Sequence, residues 1–87
     1  MKRQMPKRTA IENRRCERPY MRFGEAVRYA RLALGLTQRE LADRLGYARS
    51  SITNIEVGRQ RILLDDVFSF AKALEIKPQK LFDAVVR

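Results

Sequence analysis

Short segments with helical periodicity, each followed by a glycine, limit the folds that this chain can adopt. Gly35, Gly46 and Gly58 each follow a stretch in which apolar residues recur every three or four positions. A glycine just past such a stretch is typical of the left-handed residue that ends a helix. Because no alternating strand pattern is present in the 87 residues, the sequence predicts an all-α fold of short helices.

The periodicity and the end signals place five helices. Thr37 and Glu40 have the spacing of a capping box at the start of the second helix. Pro78 suits the first turn of the fifth helix, where a proline is tolerated. We expect the five helices to form an orthogonal bundle around one small core. The predicted ranges are 23–34, 38–45, 48–57, 64–74 and 78–85.

Positive charge is concentrated towards the N-terminus of a chain whose net charge is +9. Residues 1–22 contain eight basic and two acidic residues, residues 23–61 contain seven and four, and residues 62–87 contain four of each. Such a gradient is expected of a polyanion binder whose neutral end has another task. We therefore divide the chain into a basic N-terminal arm, 1–21, and a folded domain, 22–87.

The sequence contains no histidine and a single cysteine, Cys16. A zinc finger, a histidine general base and an intramolecular disulfide are therefore excluded. No apolar run exceeds three residues, which is far too short for a bilayer-spanning helix, and the basic N-terminus lacks the apolar stretch of a signal peptide. We expect a cytoplasmic, nucleoid-associated protein that is not an enzyme and holds no metal or cofactor.

The stretch from Gln38 to Val57 has the pattern of a helix-turn-helix. Ala42 supplies the small residue that two closely crossing helices need, and Gly46 supplies a turn residue that tolerates a positive φ. Five further positions in the stretch are apolar and are expected to point inward. They are Leu41, Leu45, Tyr47, Ile52 and Ile55.

The segment LTQRELADRLGYARSSITNIEVGR, residues 36–59, resembles the Cro/repressor-type helix-turn-helix family, also called the XRE family. The resemblance covers roughly residues 22–82. It implies a lambda-repressor-like bundle and a bacterial or phage transcriptional regulator, a repressor that binds a palindromic operator in double-stranded DNA. Ile62 and Glu75 depart from the family, in which proline and glycine are usual at these positions.

Polar side chains gather on one face of the predicted third helix. Arginine can bind guanine bidentately and asparagine can bind adenine, whereas serine and threonine suit either a base or a phosphate. A merely solvated face is the alternative, but the resemblance places this helix in the major groove. We therefore predict base contacts from Arg49, Ser50 and Asn54. Phosphate contacts are expected from Gln38, Ser51, Thr53, Arg59 and Arg61. The resemblance also implies a structural ion pair between Arg31 and Glu56.

The neutral C-terminal third is the expected site of dimerisation. One recognition helix contacts too few base pairs to select a site in a genome, which favours a two-fold homodimer. The predicted interface consists of Leu81, Phe82, Val85 and Val86. Two other functions stay open at this point: an RNA binder, which the lack of interleaved aromatic residues disfavours, and a DNA-binding antitoxin that also holds a toxin protein.

Overall fold

Five α-helices account for most of residues 18–86, which is the part of the chain that the computed structural model describes. The predicted all-α bundle is confirmed, and within this range no helix is long and apolar enough to cross a membrane. Most of the predicted arm lies outside the described residues. The helices are α1, Arg18–Ala33; α2, Gln38–Leu45; α3, Arg49–Glu56; α4, Leu64–Leu74; and α5, Pro78–Val86.

Helix α1 begins five residues earlier than predicted, at Arg18 instead of residue 23. Pro19 is compatible with the first turn of a helix, where a missing N–H costs nothing. Met21 packs closely against Gly58, and Pro19 and Tyr20 line a small apolar cavity together with side chains of α4 and α5. Residues 18–21, the last four residues of the predicted arm, therefore pack against the folded domain.

The core lies where α1 and α4 meet the helix-turn-helix pair. The ring of Phe70 packs edge-to-face against Phe23 and Tyr47, with centroid distances of 5.5 and 5.8 Å, a favoured arrangement for aromatic pairs. Leu41, Ile52 and Ile55 are buried, as predicted. Leu45 and Tyr47 are partly buried against the same cluster.

Gly24 allows α1 to lie directly against the end of α3. A Cβ atom at this position would collide with the carbonyl oxygen of Ile55 and lie 2.6 Å from the carbonyl oxygen of Glu56. Both obstacles are backbone atoms, so no side chain could move aside. No sequence pattern indicates this close approach, because a glycine inside a helix only lowers helix propensity.

The end of α4 shows how the chain accommodates the glutamate found where the family usually has glycine. Glu75 has a φ of 60°, in the left-handed region that costs a side-chain-bearing residue about 1–2 kcal/mol. Arg44 of α2 donates from Nη1 to the Ala73 carbonyl oxygen at 2.8 Å and to Glu75 Oε2 at 3.0 Å. Arg44 thus joins α2 to the end of α4, although an exposed pair of this kind adds at most about 1 kcal/mol.

We expect Gly24→Ala to destabilise the fold by about 1–3 kcal/mol or more, because the new methyl group forces α1 and α3 apart. The free energy of unfolding from urea denaturation checks this. Arg28→Ala and Arg28→Gly, at an exposed position of the same helix, form the control. There the alanine variant should be the more stable by about 1 kcal/mol. A Gly24→Ala protein as stable as the parent would contradict the close approach.

Candidate nucleic-acid interface

Both ends of α2 are capped, and the turn that follows it leads directly into α3. The Glu40 backbone N–H donates to Thr37 Oγ1 at 3.0 Å, and the Thr37 N–H donates to Glu40 Oε1 at 2.8 Å, which completes the predicted capping box. Gly46 has a φ of 74°, and the N–H of Tyr47 then donates to the Ala42 carbonyl oxygen at 2.9 Å. This bond pattern ends α2 abruptly and starts the turn that leads into α3.

Helix α3 has one buried face and one accessible face. Ile52 and Ile55 are no more than 2 % exposed and attach the helix to the core. On the accessible side, Arg49 and Ser50 are exposed and Asn54 is half-buried. The structure therefore brings the three residues expected to contact bases to one helix, and their contacts with bases stay a prediction.

Arg31 and Glu56 form the ion pair that the resemblance implied. Arg31 Nε donates to Glu56 Oε2 at 2.7 Å, and Nη2 donates to Oε1 at 3.1 Å. The side chains are only 9 % and 3 % exposed. The remaining guanidinium nitrogen, Nη1, donates to the Leu36 carbonyl oxygen at 2.8 Å. One side chain of α1 therefore binds both α3 and the loop that precedes α2.

Gln38 and Thr53 extend this network towards the surface. Gln38 Nε2 donates to Glu56 Oε1 at 3.0 Å, and Thr53 Oγ1 donates to Gln38 Oε1 at 2.9 Å. Phosphate oxygens only accept hydrogen bonds, so the Thr53 hydroxyl must give up this bond before it can donate to DNA. Gln38 keeps one amide N–H beyond its bond to Glu56. Sequence reasoning missed this contact between residues of two different helices.

Exposed arginines surround the accessible face of α3. Arg39 and Arg49 line a cleft of about 460 Å³ between the end of α1 and the starts of α2 and α3, and Gln38 also lines it. Arg59 and Arg61 are exposed in the loop after α3, and the Arg59 N–H donates to the Asn54 carbonyl oxygen at 2.9 Å. Ser51, the remaining residue expected to contact a phosphate, is half-buried on α3. This clustering of guanidinium groups suits a polyanion.

Comparison with known proteins identifies the family. A family model described as helix-turn-helix matches residues 27–81. The control protein C.BamHI of Bacillus amyloliquefaciens is 36 % identical over 62 residues, which cover 70 % of this chain and 76 % of that protein. The chain belongs to the XRE-type helix-turn-helix family. This XRE protein is a DNA-binding transcriptional regulator.

Solved structures share the same fold. The restriction-modification controller protein C.AhdI from Aeromonas hydrophila is 36 % identical, with a TM-score of 0.69, and the match covers 72 % of this chain and 96 % of that chain. The controller protein C.Esp1396I, solved as a tetramer with its natural 35-base-pair operator, is 21 % identical, with a TM-score of 0.71 and coverage of 80 % and 92 %. At this lower identity the likeness concerns the fold alone.

The four residues expected to form a dimer interface differ in how far the structure exposes them. Leu81 is 1 % exposed and belongs to the core of its own chain, so it is withdrawn from the predicted interface. Phe82 and Val85 are half-buried, and Val86 is exposed. The exposed side chains of Leu63, Leu64 and Phe68 were missed by the sequence analysis.

We expect Glu56→Gln to destabilise this XRE protein by about 3–5 kcal/mol, because it leaves the Arg31 guanidinium buried without its counter-charge. Urea denaturation measures the loss. Glu25→Gln, an identical change at an exposed position of α1, should alter the free energy of unfolding by less than about 0.5 kcal/mol. Equal unfolding midpoints for the two variants would show that the pair does not hold α1 to α3.

Proposed function

We propose that this protein is an operator-binding regulator of restriction–modification genes. The proposal is supported by its 36 % identity to both the control protein C.BamHI and the restriction-modification controller C.AhdI. Operator binding is supported by the accessible polar face of α3. Exposed arginines flank this face, and the buried Arg31–Glu56 pair orients it. Such a function needs no catalytic chemistry, and the controller relatives give no support to the antitoxin alternative.

Arg49, Ser50 and Asn54 are the residues we propose for base contacts. Arg49 is exposed and is the first residue of α3, a position from which a long side chain is free to reach a base edge. Its guanidinium matches the N7 and O6 acceptors of guanine, and the amide of Asn54 matches N7 and N6 of adenine. The Ser50 hydroxyl suits either type of base edge.

Phosphate contacts are proposed on both sides of these residues. Gln38 lies in the arginine-lined cleft at the start of α2, where backbone N–H groups and the helix dipole also favour an anion. Arg59 and Arg61 follow α3 and suit the backbone of the same half-site. Ser51 and Thr53 complete the set, and Thr53 does so through a hydroxyl that must first exchange its bond to Gln38.

Arg49→Ala and Arg59→Ala separate base contacts from phosphate contacts. With an operator selected from random duplexes, Arg49→Ala should relax the preference at one base position by about 1–3 kcal/mol. Arg59→Ala should weaken binding to all sequences about equally and lower the log–log salt slope by about one. Fluorescence anisotropy titrations at several salt concentrations measure both effects. The opposite pattern would mean that another surface contacts the bases.

A homodimer is proposed to form through an exposed apolar surface, which we call the α4–α5 patch. The rings of Phe68 and Phe82 pack edge-to-face within it, with their centroids 5.9 Å apart. Phe68 is still 49 % exposed, and Leu63 and Leu64 are 72 % and 65 % exposed. Exposed apolar side chains in such a group mark an interaction site. The patch comprises Leu63, Leu64, Phe68, Phe82, Val85 and Val86.

The distribution of net charge also favours the α4–α5 patch as the dimer interface. Residues 1–61 carry the whole net charge of +9, whereas residues 62–87 are neutral. Two copies that met through the basic part would repel each other, but two that met through the α4–α5 patch would not. A two-fold axis at the patch also leaves both α3 helices available to a palindromic site.

Phe68→Glu should weaken both self-association and binding to a palindromic operator, because it places a charge in the α4–α5 patch. Sedimentation velocity and operator titrations check the two effects. Tyr29→Glu introduces the same charge on α1, at a side chain that is 80 % exposed and outside the patch, and should associate as the parent does. A folded Phe68→Glu protein that still binds as a dimer would contradict this interface.

A further inference from the structure

A single carboxylate connects the turn of the helix-turn-helix to the start of α4. The Tyr47 hydroxyl donates to Asp66 Oδ1 at 2.9 Å, and this bond is partly buried. The other oxygen, Asp66 Oδ2, accepts from the Leu63 backbone N–H at 2.7 Å. Both oxygens of Asp66 are therefore engaged, one by the turn and one by the first residue of the α4–α5 patch.

Tyr47 is the residue through which the turn reaches α4. Helix α3 itself packs mainly against α1 and α2, whereas α4 packs against α2, α5 and α1. The ring of Tyr47 lies against Phe70, and its hydroxyl continues past that ring to Asp66. A short path of side chains thus runs from the start of α3 to the patch.

The protonation state of Tyr47 favours its role as the hydrogen-bond donor to Asp66. Burial, together with the hydrogen bond to Asp66 and its negative charge, raises the pKa of Tyr47 above its ordinary value of 10.0. The phenol therefore stays protonated, and able to donate, to a higher pH than an exposed tyrosine. Because the acceptor carboxylate also caps α4, sliding of the turn along α4 would cost both this bond and the ring contact with Phe70.

We propose that the Tyr47–Asp66 hydrogen bond is a positioning contact that narrows the range of half-site spacings which the dimer accepts. The inference rests on the proposed homodimer. In a two-fold complex, the distance between the two α3 helices depends on how rigidly each is held to its α4–α5 patch. One base pair of altered spacing moves a half-site by about 3.4 Å and rotates it by about 35°. A rigid connection between α3 and the α4–α5 patch must therefore disfavour an operator with altered spacing.

The test measures binding to palindromic operators whose spacer is shortened or lengthened by one base pair. The readout is the ratio of affinities for the best and the altered spacing, with the affinity for an isolated half-site measured alongside. For Tyr47→Phe we expect this ratio to fall by roughly two- to tenfold, the size of one hydrogen bond. The half-site affinity should not change, because the residues of α3 are untouched.

Two further variants make the result specific. Tyr29→Phe removes a hydroxyl from an exposed tyrosine of α1 and should keep the parent ratio. Asp66→Ala removes the acceptor and should lower the ratio at least as much as Tyr47→Phe. Circular dichroism and thermal unfolding ensure that only folded proteins are compared.

The outcomes separate this inference from the proposed function. A parent protein that shows no spacing preference overturns the proposed dimer and, with it, the positioning role. A parent that discriminates between spacings, with a Tyr47→Phe variant that discriminates equally well, overturns the positioning role and leaves the dimer standing. A lower ratio in Tyr47→Phe and Asp66→Ala, with no change in Tyr29→Phe, supports the inference.

Discussion

The buried ion pair between Arg31 and Glu56 holds α1, α3 and the loop before α2 in one arrangement. Neither charge is stable in the interior alone, so α1 and α3 are held in the one arrangement that pairs them. Gly24 lies two turns before Arg31 on the same face of α1 and brings the two helix backbones close enough for the bidentate contact. The third Arg31 bond, to the Leu36 carbonyl oxygen, fixes the loop before α2 as well.

The same pair affects the electrostatics of the surface that we propose to face DNA. Glu56 is paired with Arg31 inside the chain, so its charge does not oppose the phosphates that we propose Gln38, Arg59 and Arg61 to contact. Gln38 extends the hydrogen-bond network of the pair to the surface. Its amide group is oriented by Glu56 on one side and by Thr53 on the other. A buried structural contact thereby orients a surface donor, which is a form of preorganisation for binding.

Local signals predicted the helices well where those signals are strong, and tertiary contacts account for the differences. The ranges of α2 and α4 agree with the prediction, because a capping box, Gly46 and paired aspartates mark their ends. The first turn of α1 was missed because its packing against Gly58 involves residues distant in sequence. Periodicity likewise identified an apolar face on α5 but could not show that Leu81 turns into the core while Phe82 reaches the patch. The bond between Thr53 and Gln38 joins two helices and leaves no local pattern.

A double-mutant cycle measures whether the buried pair holds α1 and α3 together. The free energy of unfolding is measured for the parent, Arg31→Leu, Glu56→Leu and the double variant. Each single change leaves one charge buried without its partner, whereas the double change removes both charges. The double variant should therefore lose about 2–3 kcal/mol less free energy of unfolding than the two single variants lose in sum. Losses that add to within about 0.5 kcal/mol would contradict it.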